Sequence, residues 1–282
     1  MPLHLTRSVT TAALALSVGL VALPACKKNK PTTPDSSAPA PNSGPSTVPP
    51  TTGWNTGDSY SQAPQTPVFR TQNPLTKTIQ STAKQNMEQI LLGMHNFMGT
   101  YNAFPAGYAD KTGKPGLSWR VAILPFIEQE ALFRQFKLDE PWDSENNKKL
   151  IDKMPKMFAP PNTSTNGYTF ARGFTGPGTW LPPQQHAGQP GQALLGARIT
   201  DIRDGTINTI LVADAGHAVI WTKPDEMLFA PNNVPKLGGV FESGITVGMA
   251  DGSTRFLPSN ISPQKLALAI QINDGQILDL DN

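Results

Sequence analysis

Four oxygen-bearing side chains lie close together in one stretch of the sequence and could bind a metal ion. They are Asp201, Asp204, Thr206 and Asn208. Ca²⁺ takes about six to eight oxygen ligands, but an EF-hand would need a loop of roughly twelve residues that ends in Glu. The alternative is a turn in which Asp204-Gly205 supplies the bend and the side chains bond to nearby backbone. Turn chemistry is the favoured interpretation, so no cofactor is expected and Ca²⁺ is the alternative.

The histidines are the next candidates, because a hydrolase needs a nucleophile, a general base and a group that orients the base. His95 falls beside the apolar stripe of a helical pattern, which is typical of a packed residue. His186 lies in a Gln-rich stretch and His217 follows a glycine. The sequence has neither a Gly-x-Ser-x-Gly elbow nor a His-Glu-x-x-His metal motif. We therefore expect a protein that is not an enzyme.

Four tryptophans could form a flat platform for a carbohydrate or a peptide. They are Trp119, Trp142, Trp180 and Trp221. Three of them lie in short motifs described below, which favours packing in a core over ligand binding. The formal net charge of +2 is close to neutral, so electrostatics do not favour nucleic acid as a partner.

The first residues have the pattern of an export signal that ends at a lipidation site. Arg7 precedes a short apolar run, Val9 to Leu20, and small residues follow. Leu23-Pro24-Ala25-Cys26 resembles the lipobox of bacterial lipoproteins, in which the Cys is acylated and becomes the mature N-terminus. Residues 1–25 are therefore predicted to be a lipoprotein signal peptide, with an ordinary signal peptide and an incidental Cys as the alternative. Lys27 after the Cys favours the outer membrane over the inner membrane.

Residues 26–74 have the composition of a disordered stalk that begins with the acylated Cys26. The segment is rich in Pro, Ser and Thr and poor in aliphatic residues. Such a chain cannot bury enough apolar surface to offset the entropy lost on ordering. Its prolines make it a semi-extended tether, which would hold the remaining residues, 75–282, away from a membrane.

The spacing of apolar residues then predicts a long amphipathic helix from Thr82 to Tyr101. Its apolar face comprises Ala83, Met87, Ile90, Leu91, Met94, Phe97, Met98 and Tyr101. Pro105 lies just beyond it, and a proline disfavours helical geometry in the residue before it. Shorter helices are predicted over Phe126–Phe136 and Glu145–Met154.

The C-terminal half is predicted to consist mainly of strands. Asn208–Asp214 and His217–Trp221 read as a hairpin with Ala215-Gly216 between them. Residues 245–249 alternate between apolar and small or polar side chains, and Asp251-Gly252 is a strong hairpin signal. A last helix is expected to begin at Ser262-Pro263 and to end at Gly275, while residues 167–195 are expected to form a long loop.

These elements predict an α+β head, residues 75–282. In it one long N-terminal amphipathic helix packs on an antiparallel sheet, with short helices and long loops.

Several ordered motifs resemble one bacterial family. They are His95-Asn96, Trp119-Arg120 within Ser118–Val121, Glu128-Gln129, Pro141-Trp142-Asp143, Asp204-Gly205 with Asn208, Trp221-Thr222-Lys223-Pro224, and Asp251-Gly252. On these motifs the chain resembles the domain of unknown function 1559 family over roughly residues 80 to 280. Members of that family look like type IV pilin-related proteins, with a prepilin-type leader and a long apolar helix that runs into a globular head. This chain departs from that pattern, because a lipoprotein signal and a stalk replace the apolar half of the helix.

The resemblance and the N-terminal segment together imply a non-catalytic, lipid-anchored protein of the cell envelope. Its pilin-like head would contact a protein or a surface polymer, and its other partner would be the membrane itself. Proteins of this family have also been grouped by name with extracellular solute-binding proteins, so a solute-binding lipoprotein is the alternative function. An envelope hydrolase is the least favoured function.

Overall fold

The computed structural model describes residues 74–162, 165–181 and 188–276. Within them a mixed set of helices and largely antiparallel strands confirms the α+β class. The predicted signal peptide, Cys26 and nearly all of the stalk lie outside the described residues. In the part that is described, no helix combines the length and the apolar character that a membrane span needs.

The first described element is the helix α1, Pro74–Tyr101. Its apolar residues recur at steps of three and four, and this stripe is buried; its members include Ile79, Ala83, Met87, Ile90, Leu91, Met94 and Phe97. The helix ends where Asn102 adopts a left-handed conformation, with φ of 57°. The backbone N–H of Asn102 donates to the carbonyl of Met98 at 2.8 Å, an arrangement typical of a helix C-terminus.

Nine strands form three sheets in the described residues. They are β1 (Pro105–Ala109), β2 (Pro115–Leu117), β3 (Tyr168–Arg172), β4 (Phe174–Thr175), β5 (Ala193–Leu195), β6 (Ile210–Ile220), β7 (Met227–Leu228), β8 (Gly244–Met249) and β9 (Thr254–Pro258). The main sheet has the order β3-β6-β8-β9 and is antiparallel, and α1 packs on it through β8 and β9. A smaller antiparallel sheet has the order β2-β1-β5, and β4 pairs with β7 in parallel.

The predicted hairpin at Ala215-Gly216 is wrong, because β6 runs straight through these residues. The middle of β6 departs from regular pairing with β3. There Gly216 donates its backbone N–H to Lys236 at 2.8 Å, and Gly238 donates to Asp214 at 2.8 Å. A neighbouring loop therefore satisfies the backbone of the Ala-Gly step, so the chain does not turn back at this point.

The predicted long loop over residues 167–195 is also wrong in part, since β3, β4 and β5 lie within it. Gly167 has φ of +83° and places the chain for entry into β3. The apolar residues of β3 are few and are flanked by Gly and polar residues, so their alternation is too short to read from sequence.

The short helices are shorter than predicted. In place of the helix predicted over Phe126–Phe136, the chain forms a 3₁₀ turn, Leu124–Phe126, and helix α3, Glu130–Phe133. Helix α2, Trp119–Ala122, comes before them. Glu128 lies between them with φ of 61°, a value that a helix cannot contain. The predicted helix at Glu145–Met154 is a 3₁₀ helix over Asn147–Lys153.

The start of the last helix and the position of the last hairpin agree with the sequence prediction. Helix α4, Pro263–Ile270, has Pro in its first turn, and the Ser262 side chain accepts a hydrogen bond from the Lys265 N–H at 3.2 Å. The helix ends at Ile270, before the predicted Gly275. Strands β8 and β9 are joined at Asp251-Gly252, where Gly252 has φ of +88°.

Candidate functional site

Three of the sequence motifs meet at one end of the main sheet, where α1 crosses the turn between β8 and β9. The backbone N–H of Asp251 donates to the carbonyl of Thr206 at 3.1 Å, and that of Ala250 donates to Thr209 at 2.8 Å. A side chain at Gly252 would lie 3.5 Å from His95 Nε2. The structure therefore brings His95, the Asp204-Gly205 turn and the Asp251-Gly252 turn together.

His95 is half-buried at this junction. Its ring meets Phe104 edge-on, with the ring centroids 5.6 Å apart, and Nε2 is buried without a hydrogen-bond partner among the described residues. Burial lowers the pKa of His95, while the charge of Asp251 and a hydrogen bond with the Ala250 backbone raise it in part. The net effect favours the neutral imidazole.

Asp204 connects the junction to the C-terminal end of the head. One oxygen of its carboxylate accepts the Asp274 N–H at 2.7 Å, and the other accepts the Gly275 N–H at 2.8 Å. The Asn208 side chain donates to the Asp204 carbonyl at 3.5 Å, and Gly205 has φ of +95°. The Asn208 bond and the bend at Gly205 are local, as the turn interpretation expects, but the Asp204 carboxylate bonds to backbone 70 and 71 positions away.

The structure does not bring Asp201 into the same set of contacts. Its carboxylate accepts the Arg198 N–H at 2.8 Å and forms an exposed ion pair with the Arg198 side chain at 3.5 Å. Within the described ranges no group of three or more His, Cys, Asp or Glu side chains could hold a metal. Calcium binding by Asp201, Asp204, Thr206 and Asn208 stays the alternative to the turn interpretation.

The junction has an imidazole and an acid, but among the described residues no nucleophile is hydrogen-bonded to the Nε2 atom of His95. Nε2 of His95 has no partner within the described part of the chain. The Asp251 carboxylate accepts hydrogen bonds from the Ser253 N–H at 2.9 Å and the Ser253 hydroxyl at 2.6 Å. These bonds fix the conformation of the Asp251-Gly252 turn.

We expect His95 to titrate below its ordinary value of 6.5, because burial opposes its charge more strongly than Asp251 favours it. The imidazole resonances of the folded protein, followed by NMR from pH 4 to pH 8, give the midpoint. Asp251→Asn removes the favourable charge and should lower the midpoint further. A midpoint at or above 6.5 would contradict this description of the junction.

The Trp119-Arg120 motif lies in a second, fully buried cluster. Arg120 is completely buried and forms a bidentate pair with Glu226, at 2.9 Å from Nη1 to Oε1 and 3.3 Å from Nη2 to Oε2. Its Nε donates to the Ala171 carbonyl at 2.9 Å, and the guanidinium lies 4.7 Å from the centre of the Trp119 ring. Sequence reasoning missed Glu226, which lies 106 positions from Arg120.

Three of the four tryptophans form part of the core. Trp119, Trp180 and Trp221 are at most 1% exposed. Trp180 donates its indole N–H to Leu211 at 2.7 Å, and Trp221 donates to Ile151 at 2.9 Å. The packing interpretation is confirmed for these three, because no exposed ring face remains to form a platform.

The Pro141-Trp142-Asp143 turn is held by a residue that the sequence did not single out. Asn147 is fully buried, and its amide donates to the carbonyls of Lys137, Glu140 and Pro141 at 2.9, 3.1 and 3.1 Å. Trp142 is half-buried, and its backbone N–H donates to the Gly116 carbonyl at 2.9 Å. These bonds satisfy buried polar groups of the turn. The Asn147 amide and the Trp142 backbone therefore hold the turn in one conformation.

The remaining motif residues lie at the surface or at helix ends. Asn96 is exposed on α1, and its carbonyl accepts the Thr100 hydroxyl at 3.2 Å. Gln129 precedes α3, and its carbonyl accepts the N–H groups of the next turn. Asp143 and Glu128 are exposed. None of these four residues joins the His95 junction through a hydrogen bond that the described structure contains.

Comparison with known proteins gives one match. A family model described as a protein of unknown function (DUF1559) matches residues 80–239. The matched segment contains α1 from its seventh residue onward, the Trp119-Arg120 cluster and the Asp204 turn; the Asp251-Gly252 turn lies beyond it. No curated protein and no solved structure matches the chain.

Proposed function

The chain belongs to the DUF1559 family of proteins of unknown function, and we propose that it is a non-catalytic, lipid-anchored protein of the cell envelope. In this proposal Cys26 carries the lipid and residues 26–74 form the stalk. The head, residues 75–282, contacts a protein or a surface polymer. The anchor lies in the outer membrane, and the role of the protein is positional.

The observation that carries the non-catalytic role is how the motif side chains are used. The guanidinium of Arg120 is bonded to Glu226 and Ala171, and both oxygens of the Asp204 carboxylate accept backbone N–H groups. A catalytic group must instead present a free atom to a substrate within hydrogen-bond reach. The bonding of these side chains therefore supports a role in maintaining the head.

The pilin-like description of the head rests on α1 and on the family resemblance. This helix begins at Pro74, the last residue of the proposed stalk, and packs its apolar stripe on β8 and β9 of the antiparallel sheet. Gly248 lets the sheet approach the helix closely, because a side chain there would lie 2.9 Å from Leu91. A long helix that runs into an antiparallel sheet supports the comparison with a pilin head.

The lipid anchor rests on Cys26, the one cysteine of the sequence, and on the lipobox pattern that precedes it. We expect a palmitate analogue fed to expressing cells to label the wild-type protein. Cys26→Ala should abolish the label and release the protein from the membrane fraction, because each buried methylene adds about 0.8 kcal/mol to membrane affinity. In-gel detection of the label, with fractionation of the same cells, measures both effects.

A matched control moves the thiol within the stalk. The double variant Cys26→Ala, Ser37→Cys keeps one cysteine but removes it from the lipobox, and it should stay unlabelled. Persistent labelling of Cys26→Ala would contradict the proposal that Cys26 carries the lipid.

A further inference from the structure

The strand β9, Thr254–Pro258, forms one edge of the main sheet. Among the described strands its only neighbour is β8. The ladder between them runs without a bulge, from Gly244 opposite Pro258 to Gly248 opposite Thr254. Phe256, in the middle of β9, is 41% exposed. The outer side of β9 is therefore a regular strand edge that another strand can reach.

The antiparallel pairing determines which backbone groups of β9 point outward. At the hairpin end the Met249 N–H donates to the Ser253 carbonyl at 2.8 Å. Opposed residues alternate between bonded and non-bonded pairs, so Arg255 bonds to β8, while Thr254 and Phe256 on either side of it turn outward. Within the part of the chain that the structure describes, the backbone N–H and C=O groups of Thr254 and Phe256 have no hydrogen-bond partner.

The opposite edge of the same sheet, strand β3, is closed by side chains. The Ala171 N–H donates to the Thr169 hydroxyl at 3.2 Å, and the Ala171 carbonyl accepts Nε of Arg120 at 2.9 Å. Just beyond β3, the Glu226 carboxylate accepts the Gly173 N–H. Proteins commonly protect their sheet edges, because a free edge pairs with other chains. The described residues give β9 no such protection, so its edge is available for pairing.

From the free backbone groups and the exposed ring we infer that β9 pairs in antiparallel fashion with β9 of a second copy of this chain. The two Phe256 residues lie opposite each other, and each donates its N–H to the carbonyl of the other. Each Thr254 N–H donates to the Pro258 carbonyl of the other copy. That carbonyl already accepts the Ile261 N–H at 3.1 Å but has a second lone pair. The two Phe256 rings add an aromatic contact across the pair.

The positions of charge and apolar surface favour a second copy in this register. Arg255 then lies opposite Leu257 of the other copy. A two-fold axis through Arg255 would use the same outward groups, but it would place two arginines directly opposite each other, which is unfavourable. The exposed Phe256 ring needs an apolar residue across the pair, and β9 itself supplies one at the matching position. Such a symmetric contact closes at two copies. The inference does not depend on the lipid anchor, because it uses only the head.

The first test is sedimentation equilibrium of the full chain in density-matched detergent. We expect a monomer–dimer equilibrium for the wild type. Phe256→Pro removes the outward N–H and the ring but keeps the bonds to β8, since proline is tolerated where the N–H of an edge strand faces solvent. It should weaken dimerisation at least tenfold. Arg255→Gln, a change to the neighbouring side chain, should dimerise like the wild type.

The second test reports the register, by disulfide cross-linking in chains that also carry Cys26→Ala. Phe256→Cys should form a cross-linked dimer on mild oxidation, because opposed residues of a bonded pair have Cα atoms about 5.5 Å apart, a distance that a disulfide spans. Arg255→Cys should not, because the two copies of this residue are diagonal neighbours about 7–8 Å apart. Melting curves confirm that each variant is folded. A monomeric wild type, equal dimerisation of the wild type and Phe256→Pro, or preferential cross-linking at position 255 would overturn the inference.

Discussion

Replacing Glu226 with Gln should lower the free energy of unfolding by about 3–5 kcal/mol. The substitution leaves the Arg120 guanidinium, which is completely buried, without its negative partner. The Glu226 side chain is itself only 4% exposed, so water cannot replace the lost carboxylate. Glu226 also accepts the Gly173 backbone N–H, and this contact between the residues that precede β4 and β7 would weaken as well. Urea unfolding followed by circular dichroism measures the change.

The neighbouring pair provides a matched control. Arg172 and Asp225 are 2.9 Å apart, but their side chains are 12% and 36% exposed. Because solvent screens this pair, Asp225→Asn should cost about 1 kcal/mol or less. The double variant Arg120→Met, Glu226→Leu removes both buried charges and should be more stable than Glu226→Gln. Equal losses for Glu226→Gln and Asp225→Asn would show that burial of the Arg120 pair does not govern its contribution.

Replacing Asp214 with Asn should stabilise the head at neutral pH, by about 3 kcal/mol at most. Burial raises the pKa of Asp214 to about 6 from an ordinary value of 3.8, and a difference of this size corresponds to about 3 kcal/mol. Below about pH 4 the acid is protonated in both the folded and the unfolded chain, so it has no effect. Between about pH 4 and pH 6 the unfolded chain releases its proton while the folded chain keeps it. The wild type therefore loses stability as the pH rises through this range.

The measurement is the difference in free energy of unfolding between Asp214→Asn and the wild type at several pH values. It should be near zero at pH 4, rise through pH 5 and reach a plateau above about pH 6.5. Other carboxylates titrate in both proteins and cancel in the difference. A difference that does not depend on pH would indicate that Asp214 is not a buried acid with a raised pKa.

Much of the head could be predicted from local sequence, because its signals are local. The Asp251-Gly252 hairpin and the Ser262 cap of α4 each depend on two to four adjacent residues, and both agree with the structure. The hairpin prediction at Ala215-Gly216 failed because the backbone of residues 214–216 bonds to Lys236 and to residues 238 and 239. A sequence window around Gly216 carries no sign of that distant loop.

The candidate site was predictable only in its motif residues. The contact between His95 and the Asp251-Gly252 turn depends on how α1 crosses the sheet. The spacing of apolar residues along the sequence does not determine that crossing. Glu226 was missed because its partner Arg120 lies 106 positions away. Asn147 and Asp214 were missed because their roles depend on burial, which the residues next to them in the sequence do not indicate. An isolated acid next to an apolar strand pattern is the one signal that could have pointed to Asp214.

The most direct test of lipid-anchored display is the mass of the N-terminal peptide of the protein extracted from membranes. The proposal predicts a mature chain that begins at Cys26 and carries a diacylglyceryl group on the thiol, with residues 1–25 removed. Mass spectrometry of the first proteolytic peptide measures both features at once. A membrane-extracted chain that begins at any other residue, or that has an unmodified Cys26, would contradict the proposal.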